Sequence, residues 1–364
     1  MAKTVVLTGG GTAGHVTPHF ALIPRLQQLG YDVHYIGSCG MEKGLMEAVP
    51  GVTYHEVSSG KLRRYFSLKN FSDPFRTLAG ISQSLRLMKS IRPSVVFSKG
   101  GFVGVPVAIA AHMRHIPVIV HESDYSLGLA NRIAAPYAGR VCAVFPHALE
   151  RLPAGKGLVT GTPIRPSILA GDQAKGRALC GFAGVKPVIF VVGGSSGAQA
   201  LNEAIRKVLP ALLRHYDVVH ACGKGNLDEA LANVAGYKQF EYLDAESEYP
   251  HILALADLAV SRAGANALVE FMVCRKPTLF IPLPCCSSRG DQILNSRFAQ
   301  DQGLCSVLMQ EDITEDKLLT AVEDVYQNRA KYKMAMEKST SFSDGTDRIM
   351  ELIVTLGRDY GTKK

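Results

Sequence analysis

Tryptophan is absent from the 364 residues, and no apolar run approaches 18 residues. The second absence excludes a membrane-spanning helix. The longest apolar stretches, 103–111 and 187–192, have the length of strands or short buried helices. Cysteine is present eight times, but no C-x-x-C occurs and only Cys285 and Cys286 are adjacent. That spacing argues against a disulfide framework or a zinc site and reads as reduced, buried thiols. The 35 glycines and 18 prolines follow no fixed period, so collagen-like and linker-like chains are excluded. The apolar stretch at the N-terminus is too short for a signal peptide and runs into glycines, so the chain is expected to remain in the cytoplasm.

The composition is that of a globular protein. Hydrophobic residues make up 47% and charged residues 20%, which excludes disorder as the dominant state. The length suits two domains, each able to bury its own core. The net charge of +8 is uneven. Residues 1–165 carry 18 Lys and Arg against 8 Asp and Glu, and residues 61–92 alone carry eight cations against Asp73. Such a patch faces an anionic partner: nucleic acid, an acidic substrate or a membrane surface.

Short Val- and Ile-rich segments at 4–8, 32–36, 94–97, 117–120 and 140–144 alternate with stretches of helical length. The pattern restarts at 186–192, 217–221, 258–261 and 278–281. This predicts an α/β chain of two Rossmann-like, doubly wound domains, each a parallel sheet with helices on both faces. The break is expected near 161–166, where Gly161, Pro163 and Pro166 punctuate a change in charge. Ligands of such sheets bind beyond the carboxyl ends of the strands, so the glycine loops there are expected to face one interdomain cleft.

Gly9-x-Gly11-x-x-Gly14 ends the first strand and matches the dinucleotide fingerprint. The second strand, however, ends Tyr35-Ile36-Gly37-Ser38, with no acid for a ribose hydroxyl. A nicotinamide or flavin cofactor therefore loses support. The loop is either a tight turn or a set of bare amides that meets a phosphate or sugar. His15 follows it. A lone histidine is commonly structural, but in this place it has the chemistry of a base near neutral pH. Ser98-Lys99-Gly100-Gly101 and Gly193-Gly194-Ser195-Ser196-Gly197 repeat the strand-to-helix junction, which suggests a large ligand or several phosphates. His121-Glu122-Ser123-Asp124 ends another strand, as a site or as a helix cap. In 261–270, small residues around Gly264 admit a ligand at a helix N-terminus, with Glu270 within reach of a ribose diol. Asp291 and Gln292, in a polar loop, could bind sugar hydroxyls or simply face solvent. Asp-x-Asp, the pair that commonly holds a metal-bound nucleotide diphosphate, does not occur. A leaving group met by helix N-termini and loop amides is favoured instead.

Taken together, GGTAGHVTP (10–18), SKGGFVGVP (98–106), HESD (121–124), TGTPIR (160–165), GGSSGA (193–198), SRAGANALVE (261–270) and SRGDQILN (288–295) resemble the MurG family, closest to its Gram-positive branch. These transferases add N-acetylglucosamine to the undecaprenyl-pyrophosphoryl-muramyl-peptide precursor of peptidoglycan. The resemblance implies a GT-B fold. Residues 1–164 would form the acceptor- and membrane-facing domain, with a C-terminal helix, about 343–364, packing back on it. Residues 165–342 would hold UDP-N-acetylglucosamine. By motif, Arg165 and Ser195 would contact the donor diphosphate, Leu243 would offer backbone to the uracil, Glu270 would take the ribose and Gln292 the sugar. Thr12, Ala13 and Gly14 would line the first-domain side. Three positions depart from the commoner pattern: Ala13 stands for Gly, Asp124 for an Asn that touches the donor, and Asp291 for the first of two Gln. An ionised Asp accepts hydrogen bonds but does not donate them.

The expected reaction is an inverting transfer to the C4 hydroxyl of the lipid-linked muramyl residue, without metal or other cofactor. His15 is the first choice of base and Glu122 the second. The alternatives are a UDP-N-acetylglucosamine 2-epimerase and a non-catalytic nucleotide-sugar-binding protein. The long-tailed acceptor calls for a peripheral enzyme at the cytoplasmic face of the membrane. Residues 61–75 offer the attachment, with Tyr65, Phe66, Leu68 and Phe71 set among Lys61, Arg63, Arg64 and Lys69. An anionic leaflet, not nucleic acid, is the expected partner. The Leu78, Ile81, Leu85 and Met88 stripe that follows reads as core.

Overall fold

In the computed structural model, residues 3–60, 69–194, 197–285 and 290–362 are described. They divide into two compact units, 1–164 with 344–364, and 165–343.

Among the described residues, the first unit holds seven strands: β1 (Lys3–Thr8), β2 (Tyr31–Gly37), β3 (Val52–Glu56), β4 (Val95–Ser98), β5 (Val118–Glu122), β6 (Arg140–Ala143) and β7 (Gly157–Val159). They lie in the order β3-β2-β1-β4-β5-β6-β7, all parallel. Alternate side chains feed two cores, as the pleat requires. Val5 and Leu7 pack with the helix His19–Gln28, whereas Val6 packs with Val107 of the helix Gly104–Met113 and with Met88 of the helix Lys69–Ile91. Burial on both faces explains why the central strands read as unbroken runs of Val and Ile.

Ile349, Met350 and Ile353 of the last helix, Thr346–Thr362, belong to the core of this unit. The returning chain is tied at its entry. Ile164 N–H donates to Asp344 Oδ1 and Thr346 Oγ1, both at 3.2 Å. Arg25 also pairs with Asp347.

The second unit holds β8 (Val188–Val192), β9 (Asp217–Ala221), β10 (Tyr237–Phe240), β11 (Leu258–Ser261), β12 (Thr278–Phe280) and β13 (Ser306–Val307). Their order is β10-β9-β8-β11-β12-β13, again parallel. Each sheet reverses its strand order once, between β1 and β4 and between β8 and β11. Those are the points where ligands of such sheets bind.

The stripe 78–88 corrects the reading of it as core. Met88 is 2% exposed and Leu85 packs partly on the core, but Leu78 is 62% exposed and Phe75 before it 74%. Among the described residues, no helix is long and apolar enough to cross a membrane.

His19 is fully buried between Tyr35 and Phe97, edge-on to both at 5.2 and 5.7 Å. Its Nδ1 donates to Val16 O at 3.1 Å. Burial lowers its pKa to about 3. Between pH 6.5 and about 3 the unfolded chain therefore holds a proton here that the folded chain refuses. Stability then falls with falling pH by about 1.4 kcal/mol per unit for this group. A His19→Phe variant should show a pH slope of urea-unfolding free energy shallower by about that amount between pH 6 and 4.5. An unchanged slope would contradict the buried, neutral assignment.

Candidate active site

The first unit gathers three loops at its reversal point: residues 9–14 after β1, 99–103 after β4 and 121–128 around the end of β5. They touch closely. A Cβ on Gly101 would stand 2.3 Å from Gly10 O, and Gly101 has φ +79°, so only glycine serves there.

The first loop has its own anion. Glu42, 0% exposed, accepts from Gly11 N–H at 3.2 Å, from Ser38 N–H at 3.0 Å and from the Ser38 hydroxyl. A Cβ on Gly10 would meet its Oε1 at 2.5 Å. The sequence shows no acid at the end of β2, yet the fold brings this one back from five residues beyond Gly37. The Gly11 amide, read from sequence as a phosphate or sugar donor, is thus satisfied by protein.

Thr12 and Gly14 are exposed; Ala13 and His15 are half-buried in the turn Ala13–His15. His15 Nδ1 lies 2.9 Å from Gly10 O and 3.1 Å from Thr12 Oγ1. A carbonyl only accepts, so Nδ1 carries the proton and Nε2 carries the lone pair. This tautomer suits a base acting through Nε2.

Glu122 is 6% exposed and accepts four hydrogen bonds. Ser123 N–H (2.9 Å) and Asp124 N–H (3.0 Å) reach Oε1, while Gly128 N–H (2.8 Å) and Asn131 Nδ2 (2.9 Å) reach Oε2. Burial raises its pKa, and these donors oppose the rise. Four donors around one carboxylate make a clamp on the loop and leave little capacity for a substrate proton.

Lys99, which the sequence marks only as part of the 98–101 junction, has a role of its own. It is 2% exposed, and its ammonium donates to His121 Nδ1 at 3.0 Å and to Ser123 Oγ. His121 Nε2 in turn donates to Gly161 O at 2.8 Å. Burial lowers the pKa of both groups, while Glu122 and Asp124 attract the ammonium. Asp124 thus stands near a buried cation.

In the second unit, Gly264 caps the helix Ala265–Val273 with φ −63°, and a Cβ there would meet nothing within 4 Å. Neither backbone nor packing requires glycine, which leaves room for close approach of a ligand. Glu270 is half-buried on the same helix. Burial raises its pKa, whereas Arg165 and the hydroxyl of Tyr249 hold it down. Arg165, 7% exposed, donates through Nη1 to Ala245 O at 2.7 Å and to Glu246 at 3.1 Å. It thereby pins the loop that follows the buried Leu243. Gln292 Oε1 accepts from Leu283 N–H at 3.0 Å, so its NH2 is the end it can offer a sugar. Asp291 is the first residue of the helix Asp291–Asp301. Arg262, 6% exposed, binds Ile281 O and Pro282 O through Nη1 and Gln310 through Nη2, which holds that loop to β11. Ser195 and the cationic, aromatic stretch 61–68 lie outside the described residues.

The chain matches the models of the glycosyltransferase family 28 N-terminal domain over residues 5–143 and of the family 28 C-terminal domain over residues 188–349. It is 53% identical to the UDP-N-acetylglucosamine--N-acetylmuramyl-(pentapeptide) pyrophosphoryl-undecaprenol N-acetylglucosamine transferase of Lachnospira eligens, over 96% of this chain and 98% of that one. The crystal structure of Acinetobacter baumannii MurG superposes with a TM-score of 0.75 at 26% identity, covering 97% and 99% of the two chains. A UDP-N-acetylglucosamine 2-epimerase from Neisseria meningitidis reaches a TM-score of 0.69 over 97% and 99%, but at 13% identity it shares the fold alone. Both sheets are those of a GT-B glycosyltransferase. With its two domain models matched in order and a relative more than half identical along nearly the whole length, the chain belongs to glycosyltransferase family 28, in its MurG group of N-acetylglucosaminyltransferases.

Proposed function

We propose that this chain transfers N-acetylglucosamine from UDP-N-acetylglucosamine to the C4 hydroxyl of the muramyl residue of undecaprenyl-pyrophosphoryl-muramyl-peptide. The observation that carries the reading is the near-full-length identity with a relative named for this transfer. The epimerase alternative rests on fold alone, and fold does not fix function.

The acceptor hydroxyl attacks the anomeric carbon from the face opposite UDP. Its proton passes to Nε2 of His15, the C4 oxygen bonds to the sugar, and the electron pair of the broken bond leaves with UDP. The Nδ1–H bond to Gly10 O supports this role, because it fixes both the tautomer and the ring. We assign Glu122 to holding the loop 123–131 rather than to proton transfer. Thr12, Ala13 and Gly14 line the acceptor side, and Asp124 takes hydrogen bonds from substrate hydroxyl or amide groups. The unit 165–343 holds the donor: Leu243 at the uracil, Glu270 at the ribose, Gln292 and Asp291 at the sugar. Charge growing on the departing UDP is met by the helix that begins after Gly264, by the Ser195 loop and by Arg165. No metal takes part in this scheme.

Attachment to the cytoplasmic face of the membrane is assigned to residues 61–75, with an anionic leaflet rather than nucleic acid as partner. Phe75, which ends this segment, and Leu78 just beyond it are both exposed and support the assignment.

Incubation with radiolabelled UDP-N-acetylglucosamine and a lipid-linked muramyl-peptide, without added metal, should yield label in the organic phase. Its absence there would overturn the reading. His15→Ala should lower kcat by roughly 10²–10⁴-fold while UDP affinity holds; a change in affinity alone would make His15 a binding residue. Neutralising Arg63, Arg64 and Lys69 together should weaken sedimentation with anionic vesicles, and high salt should act likewise. Undiminished sedimentation of the triple variant would refute the attachment.

A further inference from the structure

Glu270 is not alone at its end of the donor half-site. The hydroxyl of Tyr249 donates to Glu270 Oε2 at 3.1 Å. The phenol is held in turn. Tyr249 opens the helix Tyr249–Leu255, and its ring meets Phe190 of β8 edge-on, with centroids 5.9 Å apart at 68°. The segment leading into that helix is closed on itself. Asp244 Oδ1 accepts from Glu246 N–H, Ser247 N–H and the Ser247 hydroxyl, and Arg165 ties Ala245 and Glu246. Burial and the adjacent carboxylate raise the phenol pKa well above 10, so the hydroxyl remains a donor throughout the working range.

A glutamate carboxylate turns freely about its last torsion. A vicinal diol, by contrast, donates two hydrogen bonds best when both oxygens of one carboxylate lie toward it. A tyrosine hydroxyl bound to one lone pair of Oε2 sets the carboxylate plane and leaves Oε1 and the second lone pair of Oε2 for the diol. A phenylalanine in this place would fill the same space against Phe190 without setting that plane. We propose that Tyr249 is a positioning residue for the ribose: by orienting Glu270 it selects a ribonucleoside diphosphate over its 2′-deoxy counterpart. The inference rests on the assignment of Glu270 to the ribose.

Isothermal titration of the parent, Tyr249→Phe and Glu270→Ala with UDP and with 2′-deoxy-UDP separates the two ideas. The parent should prefer UDP, and Glu270→Ala should lose that preference. Tyr249→Phe should bind UDP roughly 3- to 10-fold more weakly while 2′-deoxy-UDP binding hardly changes, which shrinks the preference. In turnover, Tyr249→Phe should raise KM for the donor and keep kcat. Equal weakening of both ligands by Tyr249→Phe would show that the residue merely supports its helix, and binding of both as in the parent would show no role; either result overturns the proposal. If Glu270→Ala keeps the preference for UDP, the ribose assignment itself fails and the proposal falls with it.

Discussion

A buried carboxylate must be surrounded by donors, and a bare turn amide must find an acceptor. At the carboxyl edge of the first sheet these two needs meet each other. Glu42 satisfies the amides of Gly11 and Ser38, and Glu122 satisfies those of Ser123, Asp124 and Gly128. Leaving either set unmatched would cost about 1–3 kcal/mol per group. The loops are therefore fixed before any substrate arrives. In the proposed scheme, what the first unit then offers to chemistry is the histidine mounted on the first loop, not the carboxylate behind the third.

The second unit uses its acid differently. Among the described residues, the side-chain hydrogen-bond partner of Glu270 is a single phenol, and its surroundings include the cation Arg165 and a helix start with open space at Gly264. That contrast between a saturated carboxylate and one with remaining capacity is the physical basis for assigning Glu122 to structure and Glu270 to ligand. Both are buried enough to have raised pKa values, so the shift alone does not separate them.

Much of this was legible in the sequence, and the remainder was not for definable reasons. The central strands, buried on both faces, announce themselves as runs such as Val188–Val192. The four strands without such a signal are β3, β7, β10 and β13, which are the four sheet edges. Their residues are largely half-exposed, so they carry neither a continuous apolar run nor a strict alternation. The glycine loops could be read because glycine marks close approach. Glu42, 31 residues from the Gly11 amide, and Tyr249, 21 residues from Glu270, left no local trace of these contacts. The exposure of Leu78 was hidden for the opposite reason: periodicity finds an apolar stripe but does not say what covers each part of it.

The central claim is that His15 takes the proton while Glu122 holds its loop. It is tested most directly by the pH dependence of kcat/KM for the parent, His15→Gln and Glu122→Gln. The account predicts that the loss of rate toward low pH disappears in His15→Gln and persists in Glu122→Gln, even if the latter is slower overall. Survival of that limb in His15→Gln together with its loss in Glu122→Gln would contradict the account and move the base to Glu122.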